Sequence, residues 1–290
     1  MDALKAAGKP AGPTFAVAFG GGGARGLAHI HVIEALDELG IRPTAIAGSS
    51  IGAIMGAGMA SGMTGRDIHH YALSILSRRA EIASRIWKAR PNSIGEMVTG
   101  GLRITQFNIE RILKAFLPDA VPDNFEELKI PLKVTGTDYF GRDLTVFDKG
   151  DLLSALAASA AIPALFRPVM RDDKLHIDGG IFNPVPFDLL TGLADIVIAI
   201  DVVGAPADTG RKQTTIDLMF GASQLMMQSI IAMKLQTQRP EILLRPPVSR
   251  FRVLDFMKIE AVLHETQSIK DELKRAVDEA VAARHQLASN

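Results

Sequence analysis

A serine enclosed by glycines is the first feature of the sequence that could do chemistry. The segment Gly48–Gly52 reads G-S-S-I-G, which fits the pattern G-x-S-x-G with Ser50 at its centre. Such a serine acts as a nucleophile when it sits on a sharp turn between a strand and a helix. The β-prone residues 44–47 precede it, and an Ala/Met/Gly-rich segment follows it. An ordinary strand-to-helix turn could carry the same text, so this motif alone leaves both interpretations open.

A run of glycines, Gly21–Gly26 with the text G-G-G-A-R-G, ends the first β-prone segment. Consecutive glycines let backbone N–H groups converge on an anion, as the oxyanion of an acyl-transfer intermediate requires. The same text also fits the dinucleotide pattern G-x-G-x-x-G. That fold should place an acidic residue about 20 residues further on, where this chain has residues 47–50, and no Lys-Ser/Thr pair closes a phosphate loop. The glycines therefore favour an oxyanion site over a pyrophosphate site.

A carboxylate that could serve as a base occurs much later, in Asp178-Gly179-Gly180. It follows the β-prone residues 174–177, so Asp178 is predicted at the end of a strand. An aspartate before two glycines is most often a turn former. On its own, this third motif would be interpreted as a turn.

In this order the three motifs resemble the patatin-like phospholipase family, including its bacterial members and the neuropathy-target-esterase group. The family pattern is G-G-G-x-R/K-G, then G-x-S-x-G, then D-G-G or D-G-A, which the chain matches at Gly21–Gly26, Gly48–Gly52 and Asp178–Gly180. The segments 158–169 and 183–186 are similar to this family as well. Each motif is weak alone, whereas the ordered triple is specific. The resemblance covers about residues 14–205.

The resemblance implies a serine acyl-hydrolase that cleaves carboxylic esters of lipids, as phospholipases and lysophospholipases do. By that resemblance Ser50 is the nucleophile and Asp178 its base, so that a Ser-Asp dyad forms an acyl-enzyme. The oxyanion site implied by the family comprises Gly21, Gly22, Gly23 and Arg25. The motif glycines that support these groups are Gly26, Gly48, Gly52, Gly179 and Gly180. The expected enzyme uses no cofactor, and no EF-hand spacing or carboxylate cluster predicts a metal.

Two other functions remain open from the residues. Ser50, Asp178 and His264 occur in the chain order of an α/β-hydrolase triad. However, His264 lies within a charged amphipathic pattern rather than a loop, and only one strand–helix unit precedes Ser50. A non-catalytic lipid-binding adaptor would keep the fold without the activity. Five further histidines are interpreted as helix-packing residues (His29, His31), surface residues (His69, His70) or, for His176, a residue that could at most tune Asp178.

The elements that must position these residues alternate between strand and helix. A strand over 14–19 leads into the glycines, and a helix is predicted over 24–39. A second strand over 44–47 leads through Ser50 into a helix that ends near residue 62. Such alternation predicts parallel strands joined by right-handed crossovers. Together with the resemblance it predicts a three-layer α/β/α fold with a mainly parallel central sheet.

Later segments add strands, a hairpin and long helices. Residues 132–138 and 143–147 are predicted to pair as a hairpin. The continuous apolar run 196–200 is typical of a central parallel strand. Two long helices are predicted over 216–236 and 258–285.

Domain organisation follows from the absence of a polar linker within the sequence. We expect a flexible N-terminal segment at 1–13 and one hydrolase domain over 14–290. Within it, residues about 65–128 are predicted as a helical insertion and about 211–290 as C-terminal helices.

Composition restricts the partners of the protein. Of the 290 residues, 32 are Lys or Arg and 32 are Asp or Glu, so the net charge of zero gives no general attraction to nucleic acid. The chain has no cysteine, which removes disulfides and cysteine nucleophiles and fits a reducing compartment. Because no apolar run reaches about 18 residues, we expect a cytoplasmic protein, peripheral at most at the inner membrane face.

Two stretches could contact lipid. Residues 74–90 combine five basic residues with Trp87, as surface-bound amphipathic helices do, although a solvated helix would look the same. Residues 218–233 contain four methionines, whose flexible side chains could line an acyl groove or an ordinary core or dimer contact. A homo-oligomer therefore remains an open expectation.

Overall fold

The structure is a computed structural model that describes residues 12–76, 107–208, 210 and 213–288. Within those residues, eight strands form one sheet in the order β5-β6-β3-β2-β1-β7-β8, and β4 pairs with β3. The strands are β1 (Phe15–Phe19), β2 (Ala45–Ser49), β3 (Leu132–Asp138), β4 (Asp143–Phe147), β5 (Val169–Arg171), β6 (Lys174–Asp178), β7 (Ile196–Ile200) and β8 (Ile242–Leu244).

The centre of the sheet is parallel, as the alternation of strands and helices predicts. β1 pairs in parallel with β2 and with β7, β2 with β3, and β7 with β8. All five residues of β7 are buried, which confirms the prediction that 196–200 is a central parallel strand. The remaining strands, β4, β5 and β6, are antiparallel to their neighbours, so the sheet as a whole is mixed.

Two hairpins produce the antiparallel part. β3 and β4 form the predicted hairpin, in register from Val134↔Phe147 to Asp138↔Asp143. β5 and β6 are joined by Asp172 and Asp173, which have φ values of 51° and 58°. Two consecutive residues with positive φ give a turn whose twist matches that of paired strands, and aspartate tolerates this region better than most residues.

Eight α-helices in the described ranges surround the sheet. They are α1 (His29–Glu38), α2 (Ile51–Ala60), α3 (Gly65–Leu76), α4 (Ile109–Phe116), α5 (Leu152–Ser159), α6 (Thr215–Thr237), α7 (Ile259–Thr266) and α8 (Ile269–Ala288). A capping box between Thr214 and Asp217 begins α6, which confirms the predicted helix over 216–236. None of these helices has both the length and the apolar character needed to cross a bilayer.

The alternation of side chains along β1 divides the core between the two faces of the sheet. Phe15, Val17 and Phe19 pack into the larger cluster, which contains residues of α1, α2, α5 and α8. Ala16 and Ala18 pack into a smaller cluster with Val185, Phe187 and residues of α6. Helices therefore cover both faces, which gives the predicted three-layer α/β/α arrangement. The small alanines let the segment around Phe187 approach the sheet closely.

Two predicted helices are each divided in the structure. The helix predicted over 24–39 begins as a 3-10 helix at Gly23–Ala28 and becomes α1 at His29. The helix predicted over 258–285 is interrupted at residues 267–268 between α7 and α8. α7 packs on the 3-10 helix, whereas α8 packs on α1 and β8. The chain must change direction to reach both partners, and no sequence breaker marks that place.

The described parts of the predicted insertion contain α3, α4 and a 3-10 helix at Phe125–Glu127, with turns and irregular backbone over 117–124. The predicted flexible segment at 1–13 and most of the basic stretch at 74–90 lie outside the described residues.

Candidate active site

Ser50 occupies the sharp turn between β2 and α2 that the G-x-S-x-G motif predicts. Its backbone has φ 53° and ψ −123°, a strained region for a residue with a side chain. The Ser50 N–H donates to Oγ of Ser159 at 2.8 Å, a contact from α5 that helps to hold this conformation. A Cβ at Gly52 would collide with the carbonyl oxygen of Phe19, so the glycine lets α2 start directly against β1.

Asp178 reaches Ser50 because β2 and β6 share one edge of β3. β2 pairs with the first half of β3, where Ser49 lies opposite Thr135. β6 pairs with the second half, where Asp178 lies opposite Gly136. The ends of β2 and β6 therefore meet at consecutive positions along β3. Ser50 Oγ donates a hydrogen bond of 2.7 Å to Asp178 Oδ2.

The environment of Asp178 makes its carboxylate a stronger base than usual. Burial disfavours the charged form and raises the pKa of Asp178 to about 6, although hydrogen bonds from Ser50 and Gly180 offset part of that effect. The Gly180 N–H donates to Oδ1 at 2.8 Å, and the Thr137 hydroxyl donates to the Asp178 carbonyl oxygen at 2.9 Å. These contacts fix the orientation of the carboxylate toward Ser50.

The glycine loop offers two backbone donors beside Ser50, fewer than the sequence predicts. The Gly21 N–H already donates to the carbonyl oxygen of Pro184 at 2.9 Å, and the Ala24 N–H to that of Val253 at 2.8 Å. Among the described residues, the N–H groups of Gly22 and Gly23 have no acceptor. Gly21 is therefore corrected from an oxyanion donor to a residue that anchors the loop.

Arg25 also differs from the prediction that it faces the oxyanion. Its Nε donates to the Phe251 carbonyl oxygen at 2.7 Å and its Nη1 to that of Val203 at 2.5 Å. Burial lowers the pKa of Arg25 to about 10, with Asp255 opposing the shift. The guanidinium thus ties the glycine loop to two other segments.

The histidines do not complete a triad. His264 is exposed on α7, and both carboxylate oxygens of Asp178 are bonded to Ser50 and Gly180. His29 and His31 are buried, as expected for helix packing. Nε2 of His29 donates to the Gly20 carbonyl oxygen at 2.8 Å, because a carbonyl can only accept, and burial lowers the His29 pKa to about 4.

The remaining histidines have mixed outcomes. His70 is exposed, as predicted, whereas His69 is partly buried and bonds to Glu34 at 2.8 Å. His176 is buried, with neither ring nitrogen bonded, and packs edge-on against Phe147. No group of described residues could hold a metal ion.

Ser50 lies between two cavities. The first, here called the α2 cavity, has a volume of about 470 Å³ and is bordered by α2, α3 and α4. The second, the α6 cavity, has a volume of about 410 Å³ and is bordered by the glycine loop, Asp178 and one side of α6. Both are of the size that binds small ligands. The methionine-rich stretch 218–233 does line a groove, since Met219 and Met227 border the α6 cavity. The sequence did not predict the α2 cavity, which is built from segments far apart in the chain.

The sequence over residues 17–191 matches the family model of the patatin-like phospholipases. The chain belongs to the patatin-like phospholipase family. This match confirms the resemblance carried by the three motifs, and it includes both Ser50 and Asp178.

Relatives with similar sequences agree with this assignment. An uncharacterised NTE family protein of Mycobacterium tuberculosis is 38% identical over 200 residues, which are 69% of this chain and 52% of that protein. The human patatin-like phospholipase domain-containing protein 6 is 27% identical over 87% of this chain and 19% of its own length. The chain thus matches about half or less of these relatives. VipD of Legionella pneumophila, at 15% identity, has a TM-score of 0.45 over 95% of this chain and 75% of its own.

Proposed function

We propose that this patatin-like chain is a serine acyl-hydrolase that cleaves carboxylic esters of lipids with a Ser50–Asp178 dyad. The observation that supports the proposal most is the 2.7 Å hydrogen bond from Ser50 Oγ to Asp178 Oδ2. It joins a hydroxyl on a strained turn to a buried carboxylate whose pKa is raised to about 6. A nucleophile within hydrogen-bond reach of its base is the minimum that covalent acyl transfer requires.

In the first step, Ser50 Oγ attacks the ester carbonyl carbon while Asp178 accepts the hydroxyl proton. A raised pKa favours this transfer, since a carboxylate at its ordinary pKa is a weak base. The carbonyl oxygen becomes an oxyanion, for which the N–H groups of Gly22 and Gly23 are the available donors. Donors fixed before the reaction stabilise such charge more than mobile water does.

In the second step, the tetrahedral intermediate collapses and the carbon–oxygen bond to the alcohol breaks. Asp178 returns its proton to the leaving oxygen, which leaves an acyl group on Ser50. Water then gives a proton to Asp178 and attacks the acyl carbon. When the bond from that carbon to Ser50 Oγ breaks, Asp178 returns the proton to Ser50 Oγ and the carboxylic acid leaves. Asp178 thus acts as base, then acid, in both halves of the reaction.

The two alternatives fit the structure less well. A triad would need an imidazole between Ser50 and Asp178, where a direct hydrogen bond exists. A non-catalytic adaptor would have no need for a strained Ser50 or a buried carboxylate, because both cost stability without contributing to binding.

Peripheral contact with lipid is part of the proposal. Met219, Leu254 and Ile181 are exposed, and all three border the α6 cavity. Apolar side chains around the entrance to an active site can rest on a lipid surface and let an ester enter without crossing water.

Labelling with a fluorophosphonate probe tests the proposal. We expect covalent modification at Ser50 in the wild-type chain and none in Ser50→Ala. Ser49→Ala is the matched control, because the Ser49 hydroxyl is buried and has no partner among the described residues. The folded state of each variant is checked by circular dichroism. A folded wild-type chain that is not labelled, and that hydrolyses no acyl ester, would favour the adaptor.

A further inference from the structure

Ser50 borders both cavities, whereas Asp178 borders only the α6 cavity. From this asymmetry we infer that the two cavities divide the ester: the α2 cavity holds an extended acyl chain and the α6 cavity holds the alcohol part. The inference rests on the proposed function and adds to it which cavity determines acyl-chain selectivity.

The path of the proton supports this division. When Ser50 Oγ forms its bond to the acyl carbon, the bond from that carbon to the alcohol oxygen breaks, and the alcohol oxygen needs the proton held by Asp178. That oxygen must therefore face Asp178, on the side of the α6 cavity. The acyl chain leaves the same carbon in another direction, and the α2 cavity is the other space that opens on Ser50.

The walls of the two cavities agree with these occupants. Apart from Ser50 and Tyr71, the side chains around the α2 cavity are apolar. The Tyr71 hydroxyl is engaged with the Phe116 carbonyl oxygen at 3.2 Å. The α6 cavity adds two charged groups to its apolar wall, Asp178 and Arg25. Its Ser223 hydroxyl and Gln224 amide already donate to the carbonyl oxygens of Met219 and Val203, but their oxygens can still accept a hydrogen bond. An alkyl chain gains free energy from apolar walls alone, whereas an alcohol and the incoming water need polar partners.

One face of α2 gives the α2 cavity its depth. Ser50, Ile54 and Gly58 are four residues apart and therefore lie along one side of the helix, and all three border the cavity. At a rise of about 1.5 Å per residue, Ile54 lies roughly 6 Å and Gly58 roughly 12 Å along the axis from Ser50. Since Gly58 has no side chain, the far part stays open. An added Cβ there would lie 3.3 Å from Ile68 Cδ1, on α3.

The test compares the wild type with Ile54→Trp and Gly58→Met. For each, kcat/KM is measured with p-nitrophenyl butyrate, p-nitrophenyl laurate and p-nitrophenyl palmitate. We expect Ile54→Trp to lower the laurate-to-butyrate ratio at least about tenfold, the loss expected when two or more methylenes are kept out of an apolar site. Gly58→Met, which fills the cavity further from Ser50, should lower the palmitate ratio more than the laurate ratio. Two variants at different depths guard against one of them failing to fold.

Two further variants provide the controls. Met170→Trp adds the same bulk at an exposed position of β5 that borders neither cavity, so its ratios should equal those of the wild type. Ala222→Trp places the bulk beside the α6 cavity and should leave the acyl ratios unchanged while slowing esters of larger alcohols.

The outcomes separate the two hypotheses. The inference is overturned if Ser50 is labelled and butyrate is hydrolysed, yet Ile54→Trp and Gly58→Met keep the wild-type ratios. It is also overturned if Ala222→Trp, rather than the α2 variants, changes the acyl ratios. A wild-type chain that is neither labelled nor active instead refutes the proposed function itself.

Discussion

The two turns that meet at Ser50 are both strand-to-helix connections, yet they present different parts of the chain. The turn after β2 uses its backbone N–H internally, since Ser50 N–H bonds to Ser159. It presents the Ser50 side chain, which is buried but borders both cavities. The glycine loop after β1 has no side chains at Gly22 and Gly23, and it leaves their N–H groups without acceptors among the described residues. In the proposed function, one turn therefore offers the nucleophile and the other offers the backbone donors. The same local topology serves both roles, depending on which hydrogen bonds the neighbouring segments satisfy.

The largest effect should come from removing the base that serves the first turn. Asp178→Asn keeps an oxygen that can accept the hydrogen bond from the Gly180 N–H. The variant side chain cannot take a proton, so kcat/KM should fall about 10³-fold or more. The pKa of Asp178 is higher in the folded state than in the unfolded state. Ionisation of Asp178 therefore lowers the free energy of unfolding, beginning at about pH 4 and in full above about pH 6. The free energy of unfolding at pH 7.5 should therefore stay equal or rise, by up to about 3 kcal/mol.

Ester hydrolysis and urea unfolding measured on the same preparation check both parts. A loss of activity that is accompanied by a comparable loss of stability would instead indicate a structural role for Asp178.

A change in the glycine loop after β1 should have the next largest effect. Gly23 has φ 58°, and a Cβ there would collide with the Val253 carbonyl oxygen. Gly23→Ala should shift its N–H and lower kcat by about 10²- to 10³-fold, the usual cost of one oxyanion donor. Gly21→Ala is the comparison, because its N–H is already bonded to Pro184. Its added Cβ would lie 3.3 Å from Ser50 Cβ, so a smaller loss is expected from crowding of Ser50. Equal losses in the two variants would contradict the assignment of donors.

The pH profile, compared between the wild type and His264→Ala, tests whether the base is the Asp178 carboxylate. The Asp178 carboxylate is active when ionised, so kcat/KM should rise with pH, with a midpoint at about 6, and become level above about 7. At pH 5 the rate should be about tenfold lower than on the plateau. The His264→Ala variant should show the same profile. A midpoint that moves in this variant would restore the triad.

The smallest effect is expected from the hydrogen bond between Ser159, on α5, and the Ser50 N–H. Ser159→Ala leaves the buried Ser50 N–H without an acceptor, which should lower the free energy of unfolding by about 1–3 kcal/mol. Activity should fall only several-fold, since the Ser50–Asp178 pair remains. Thermal unfolding and ester hydrolysis measure the two effects, and Ser154→Ala, on the same helix, is the matched control. A loss of activity as large as that of Asp178→Asn would mean that Ser159 takes part in the chemistry.

Local patterns in the sequence predict the reacting groups of the site well. Glycines at fixed offsets from Ser50 and Asp178 predict their turns. The alternation of strands and helices, with the continuous apolar run of β7, predicts the parallel centre of the sheet. The structure places Ser50 and Asp178 within hydrogen-bond distance, although 128 positions separate them in the chain.

Contacts between distant segments account for what the sequence did not predict. The Gly21 N–H donates to the Pro184 carbonyl oxygen, and the Arg25 guanidinium donates to those of Phe251 and Val203. These partners are far from the glycine motif in the sequence, so the motif does not predict the contacts. Ser159 lies in a segment that resembles the family, but nothing in its own surroundings indicates a bond to Ser50. The break between α7 and α8 is likewise set by what each helix packs against.

The shared edge of β3 has a consequence for how the protein matures. A chain synthesised only as far as β5 would already contain the Ser50 turn and the amides of Gly22 and Gly23. It would lack the carboxylate of Asp178, the last residue of β6. We therefore expect hydrolysis to be among the last properties gained during refolding, so that regain of turnover reports closure of this edge of the sheet.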